Sequence, residues 1–459
     1  MKLKRLVLDN FRSHRHLDIS FENDVNVIVG DNGEGKTSVL DAIAQLFGRL
    51  LTRLPGVVGI TTKESDLRIV DNKKFAPGMR IWMNVDVETE VSSIGKSSKL
   101  ENEISASRSR LRDGRITTRH QFLKESPPPK GTKSLGLRAL DQFADALVDA
   151  DNEDTHYKMP LIVYYGTSRA VFVTPLRRRN FKTQFARFDS MSGALNSTAN
   201  FKRVFEWFHA KETEEAFEQK RVRSFSYVDP ELAAVRKAIE SFFSEFKNPR
   251  TLLRPLRFVV DKKTEGGKFV TFDLNQLSDG YRTTLAMIAD LACRMVEANP
   301  PIKKSNPLQA EAIVLIDEVD LHLHPKWQQT ILLDLHRVFP NAQFIVTTHS
   351  AQVLTTVENR CIRKLVLNDD HTEVSVPDFS LGARSGQLLN QVQDVSERPK
   401  LPITEKLVEY QALVSEDKWD SSEAISLRKD LDSWAGNKES LLKKIDIDIK
   451  MRAYRRKRT

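Results

Sequence analysis

The chain has 459 residues, 40% of them hydrophobic and 29% charged, with a formal net charge of +9. That length holds two or three domains and that apolar content excludes global disorder, while the positive balance favours a polyanionic partner, most simply nucleic acid. The two cysteines, Cys293 and Cys361, form no CxxC pair, and no window approaches the roughly 18 apolar residues of a membrane span, so neither a disulfide or zinc framework nor a membrane anchor is expected.

Residues 3–8 alternate toward a strand, HLDISF at 16–21 reads as a second, and VNVIVG, from Val25 into Gly30, as a third. Near the start, the apolar run Leu6-Val7-Leu8 stops at Asp9, too short for a signal peptide, and a reduced, cytoplasmic setting is expected. GDNGEGKT at 30–37 then matches G-x-x-x-x-G-K-[ST] in full, and Val39, Leu40, Ile43, Leu46 and Phe47 follow at helical spacing. Its glycines let backbone N–H groups turn inward around phosphate oxygens, and the helix adds its positive end. Lys36 is expected on the β- and γ-phosphates and Thr37 on Mg²⁺, with Asn32, Gly33, Gly35 and Ser38 completing the expected nucleotide contacts.

Residues 91–158 are polar and charged and include SPPPKG at 126–131, which reads as an insertion. Its arginines and lysines suit either nucleic-acid contact or a solvated surface. PLIVYYGTSR at 160–169 returns to buried-strand character. The stretch 171–188 mixes Arg177, Arg178, Arg179, Lys182 and Arg187 with Phe172, Phe181, Phe185 and Phe188. Such a mixture suits a nucleic-acid backbone, or equally a segment that packs its phenylalanines inward. Two amphipathic helices follow, one around 201–220 and one after Asp229-Pro230, a plausible cap and first-turn pair. A hairpin at 256–274 turns at Gly266-Gly267.

LSDGY at 277–281 is a small polar turn that opens another helix. AIVLIDE at 312–318 is a buried strand ending in two carboxylates, at the sheet edge where ligands of parallel sheets sit. Asp317 is expected to hold Mg²⁺ through water and Glu318 to orient or deprotonate the attacking water; a helix N-cap is the plainer role for such acids. FIVTTHS at 344–350 ends in His349, at a strand end where it can reach a γ-phosphate. Beyond 390 the chain reads as helices, with Ile403, Leu407 and Val414 on one face, Leu427, Leu431 and Trp434 on another, and a basic end, MRAYRRKRT.

The order of phosphate loop, LSDGY, LIDE and TTHS resembles that of an ABC-type ATPase, whose signature is usually LSGGQ. The resemblance implies ATP and Mg²⁺ as cofactors and two subunits packed head to tail. Ser278 and Gly280 of one subunit then face the γ-phosphate held by Lys36 of the other. Asp279 and Tyr281 depart from the signature, replacing a glycine and a glutamine. The opening stretch, with Asn10-Phe11-Arg12, resembles the RecF, OLD and SMC branch, and this implies Arg12 near the nucleotide. IDEVDLHLHPKWQQ resembles the compact members and places a D-loop at Asp320 and His322. The chain lacks the heptad arms of SMC proteins, and its last part reads as helices rather than as the Toprim nuclease domain of OLD proteins. The layout is most similar to PtuA, the ATPase of Septu and some retron anti-phage systems.

The resemblance therefore implies an α/β fold of ABC-type P-loop ATPase, with a mixed sheet, a polar insertion and a helical C-terminal region. Residues 1–90 and 159–390 are expected to form the ATPase, with a helical subregion about 195–250, and 91–158 the insertion. Residues 391–459 are expected to dock a partner through the Leu407–Val414 and Leu427–Trp434 faces. A homodimer, or a higher oligomer of dimers, is implied, working with a separate HNH nuclease similar to PtuB and with nucleic acid. The competing reading is a RecF-like, ATP-gated DNA clamp without a nuclease; a transporter motor fits the basic balance poorly.

Overall fold

The near-continuous apolar runs become parallel strands covered on both faces, as such runs do in α/β folds. In the computed structural model, which describes residues 1–70, 74–87, 103–129, 136–154, 157–170, 181–196, 201–301, 306–368, 371–396, 398–435 and 438–456, they form a six-stranded sheet. Its spatial order is Thr372–Ser375, Ile362–Leu367, Val25–Val29, Ala342–Thr347, Ala312–Ile316, Leu161–Tyr165. All neighbours run parallel except the Thr372–Ser375 edge strand, so the sheet is mixed. A second, antiparallel sheet has the order His14–Ser20, Lys2–Phe11, Gly78–Asp86, Glu103–Leu111. The Lys36–Arg53 helix touches strands of both sheets, which explains why its apolar residues lie nearly all around it.

Within the expected 91–158 insertion, the Glu103–Leu111 strand pairs along its whole length with Gly78–Asp86. The Arg138–Asn152 helix buries Leu140, Phe143, Ala144 and Leu147 and ties itself to the Lys36–Arg53 helix through Arg49 and Asp141, at 2.7 and 2.8 Å. Arg108 and Arg110 donate to the carbonyls of Gln45 and Thr62. The described part of this stretch is thus built into the N-terminal sheet, and its polar residues mark a strand whose arginines bond to carbonyls. The remainder, 91–102, 130–135 and 155–156, lies outside the described residues.

Arg177, Arg178, Arg179 and Phe172 also lie outside the described residues. Just beyond them Phe188 is buried, Phe181 and Phe185 pack against the core, and Arg187 donates to the carbonyls of Ala298 and Tyr157. The Phe201–Arg221 and Pro230–Phe242 helices follow, the second capped by Asp229, whose side chain accepts from Leu232 N at 2.8 Å. A three-stranded antiparallel sheet, Phe246–Leu253, Leu256–Lys263 and Phe269–Asp273, leads into the Asp279–Ala298 helix. That helix is buried on every side from Thr283 onward. Inside it Arg294 pairs with Asp290, Arg203 with Glu297, and the Tyr165 hydroxyl donates to Asp290 at 2.9 Å, so its few charges are matched.

The chain divides into two compact units, residues 1–393 and 394–459. Among the described residues the second contains three helices, Pro402–Ser415, Ser422–Trp434 and Ser440–Arg456, around a core of its own. Leu407, Val414 and Leu427, the expected docking anchors, are 1%, 2% and 9% exposed and belong to that core, whereas Trp434 is 42% exposed. Amphipathic faces on three short neighbouring helices satisfy one another first. Of the basic end, Lys457 and Arg458 lie outside the described residues.

Candidate nucleotide site

The C-terminal ends of three adjacent parallel strands carry the site, the usual place for a ligand of such a sheet. Val25–Val29 runs into the 30–37 loop and the Lys36–Arg53 helix. Gly35 stands at φ +82 immediately before that helix, and a Cβ there would lie 2.3 Å from His14 Nε2. Only glycine therefore fits, both by backbone and by space. His14 is fully buried beneath the loop, with Nδ1 2.7 Å from Thr372 Oγ1 and Nε2 3.2 Å from the Gly35 carbonyl. Burial pushes its imidazole below the ordinary histidine value.

Lys36 donates to the carbonyls of Gly30, at 2.7 Å, and Asp31, at 2.9 Å, so its ammonium lies inside the loop it closes. Burial lowers its pKa, and Glu34, Asp317, Asp31 and Glu318 oppose the shift. Asn32 and Gly33 are exposed at the loop's tip; Ser38 is half-buried on the helix's first turn.

Asp317 is 3% exposed and anchors the centre. Thr37 Oγ1 donates to its Oδ2 at 2.9 Å, joining the phosphate loop to the acid strand. On its other side Thr347 Oγ1 donates to Oδ1 at 2.6 Å and accepts from Glu318 N at 2.7 Å. Glu318 is half-buried, with φ +48, a conformation that non-glycine residues adopt at a cost of about 1–3 kcal/mol and mostly at functional sites. Thr347 thus fixes both acids, a role that spacing along the chain does not reveal because its partners come from another strand. His349 itself is exposed just past the Ala342–Thr347 strand, between the phosphate loop's strand and the acid strand, and its carbonyl accepts from Gln393 at 2.9 Å.

Arg12, at φ +49, pairs with Asp41 and, at 2.9 Å, with Asp66. Asp41 lies one helical turn beyond Thr37, so Arg12 stands beside the first turns of the phosphate-loop helix. Burial tends to lower its pKa, but Asp41 and Asp66 raise it overall.

The signature lies on a separate element. Ser278 is exposed at the N-cap of the Asp279–Ala298 helix, and its hydroxyl makes no capping bond there. Asp279 pairs with Arg282, which neutralises the carboxylate that replaced a glycine. Gly280 is buried, and a Cβ there would lie 2.5 Å from the His322 carbonyl. The signature turn and the loop after the acid strand are therefore in backbone-to-backbone contact, a proximity that no sequence spacing reveals.

Residues 5–247 match the family model described as an AAA domain, and residues 187–383 match one described as "Protein of unknown function (DUF2813)". The "Retron Ec83 probable ATPase" of Escherichia coli is 26% identical over 99% of this chain and 88% of its own length. The "Retron Vc95 probable ATPase" of Vibrio cholerae serotype O1 biovar El Tor is 26% identical over 94% and 86%, respectively. The "Septu protein PtuA" of Bacillus thuringiensis is 24% identical over 90% of each chain. With the phosphate loop, signature and acid strand following one another in that order, and the loop and acid strand on one sheet, the chain belongs to the AAA domain family and is an ABC-type ATPase of the RecF and SMC branch, similar to the PtuA proteins.

Proposed function

We propose that this ATPase works as a homodimer with shared sites, governs a separate HNH nuclease, and acts on nucleic acid in anti-phage defence. The observation that carries the catalytic part is the hydrogen-bonded chain Thr37–Asp317–Thr347–Glu318. It holds a hydroxyl, a buried carboxylate and a second, half-buried carboxylate at the ends of three neighbouring strands. A hydroxyl and a carboxylate 2.9 Å apart are hard oxygen donors of the kind Mg²⁺ takes, so the residues fit the ion. Thr37 and Asp317 would hold the ion, which would supply positive charge to neutralise the phosphates of a bound nucleotide.

Lys36 binds phosphate oxygens by giving up its present bonds to the Gly30 and Asp31 carbonyls. Asp317 orients Thr37, and Thr347 holds the Glu318 backbone so that its carboxylate can take up a water. Ser278, with a hydroxyl its own helix does not use, faces the nucleotide of the second subunit. The partner nuclease and the defence role rest on the likeness to PtuA and the retron ATPases, and the net charge of +9 supports the nucleic acid.

Glu318→Gln tests the catalytic centre. Turnover should fall by roughly 10²-fold or more with nucleotide binding retained; near-normal turnover assigns the base elsewhere. Sharing of sites is tested by mixing Lys36→Ala with Ser278→Arg subunits. Mixed dimers keep one site with both groups intact, so activity should return, and mixtures as dead as their parents refute the shared site. Mass spectrometry of proteins that co-purify with the native complex separates a nuclease regulator from a stand-alone DNA clamp.

A further inference from the structure

Tyr281, which stands where the resembled signature has glutamine, packs toward the protein. Its ring centroid lies 4.3 Å from that of Trp327, edge to face, and 5.3 Å from that of Phe246. Phe243 backs both, 6.1 Å from Tyr281 and 5.7 Å from Trp327. The Lys262 ammonium lies 4.2 Å from the Tyr281 ring centroid, and the tyrosine hydroxyl donates to Glu245 Oε1 at 2.8 Å. Such a ring has no freedom to reach outward as a glutamine does.

Trp327 sits in the Pro325–Gln328 turn, immediately after the loop that runs from Asp320 to His324. The signature and this segment therefore meet twice: through the Gly280–His322 backbone approach and through the Tyr281–Trp327 rings. One contact makes a pivot; two fix an orientation. The same segment is tied to the loop that follows the Ala342–Thr347 strand. Thr348 Oγ1 donates to Asp320 Oδ1 at 2.5 Å, and Ser350 Oγ to Gln328 Oε1 at 2.8 Å.

We propose that Tyr281 and Trp327 form an aromatic lock that joins the signature turn to the Asp320 loop, so that Ser278 and Asp320 meet a nucleotide as one rigid unit. Tyr281 is then a positioning residue, and the departure from glutamine exchanges a possible nucleotide contact for fixed geometry. This rests on the reading that Ser278 acts on the nucleotide of a second subunit.

The test is a kinetic cycle in the full-length protein using Ser278→Ala, Trp327→Leu and the double variant, with melting temperatures alongside. In the native background Ser278→Ala should lower kcat about 10-fold or more, with KM for ATP little changed. In the Trp327→Leu background the same change should cost less than about 2-fold, because the serine is already misplaced. A merely structural tryptophan lowers the melting temperature but leaves the two serine penalties equal, and equal penalties overturn the lock while the shared site stands. No penalty in the native background overturns the shared site and the lock with it. Should Trp327→Leu fail to fold, Trp327→Val or Tyr281→Gln carries the same cycle. Tyr281→Phe, which keeps the stacked rings, should recover most of the turnover that Tyr281→Gln loses; a Tyr281→Gln variant with native turnover also overturns the proposal.

Discussion

Gly280→Ala adds a single methyl group where the signature turn meets the loop after the acid strand. The new carbon would sit 2.5 Å from the His322 carbonyl oxygen. Carbon–oxygen contacts settle near 3.3 Å, so the two segments must part by the difference, about 0.8 Å. The loop resists that movement. His322 already holds φ +63, Leu323 N is bonded to the Asp320 carbonyl at 3.0 Å, and Gln328 donates to the Leu323 carbonyl at 3.0 Å. Overpacking of this kind costs about 1–3 kcal/mol. Helix propensity alone argues the other way, because alanine is favoured over glycine inside a helix by about 1 kcal/mol. The sign of the stability change thus separates the two effects. Misplacement by about 1 Å can cost 10²-fold in rate, so kcat should fall about 10- to 100-fold. Lys36 and Thr37 are untouched, so equilibrium binding of a labelled ATP analogue should stay near native. A Gly280→Ala protein that is more stable than the native one and turns over within about 2-fold of it refutes the reasoning.

Thr347→Val keeps the shape of a fully buried side chain but strands the Glu318 N–H and one Asp317 lone pair. Denaturant titration should show a loss of about 1–3 kcal/mol, and kcat should drop at least about 10-fold; an unchanged rate would mean that the acids hold themselves. His14 gives a pH dependence. Its folded pKa is lowered, so between that value and about 6.5 the unfolded chain binds the extra proton, and stability present above 6.5 is lost as the pH falls. The drop in melting temperature from pH 7.5 to 5.5 should therefore be smaller in His14→Gln than in the native protein; equal drops assign the dependence to other groups.

The parallel sheet was legible because VNVIV, LIVYY, AIVLI and AQFIV are apolar but for Asn26 and Gln343, and such runs have one comfortable place in a fold of this size. The phosphate loop and acid pair were legible because their chemistry is written in consecutive residues. What was hidden depends on distant segments. EISASRSRL reads as part of a polar insertion until one knows that Arg108 and Arg110 find carbonyls on the phosphate-loop helix and the segment after it. Leu407 and Val414 mark an apolar face, but spacing alone does not say whether a neighbouring helix or a partner covers it; here neighbouring helices do. His14 beneath Gly35 and Gly280 against His322 are likewise meetings made by the fold.

The strand that feeds the phosphate loop, Val25–Val29, has Ala342–Thr347 and Ile362–Leu367 as its two neighbours. On the ribosome, where chains grow at about 5–20 residues per second, the first of those neighbours emerges tens of seconds after the loop itself. Through that interval the loop has no sheet to stand on, and Thr37 has no Asp317 to meet. The antiparallel sheet of residues 2–111, by contrast, has all its strands early. The chain Thr37–Asp317–Thr347–Glu318 can close only once residue 347 has been made, so the assembled site is a late product of synthesis.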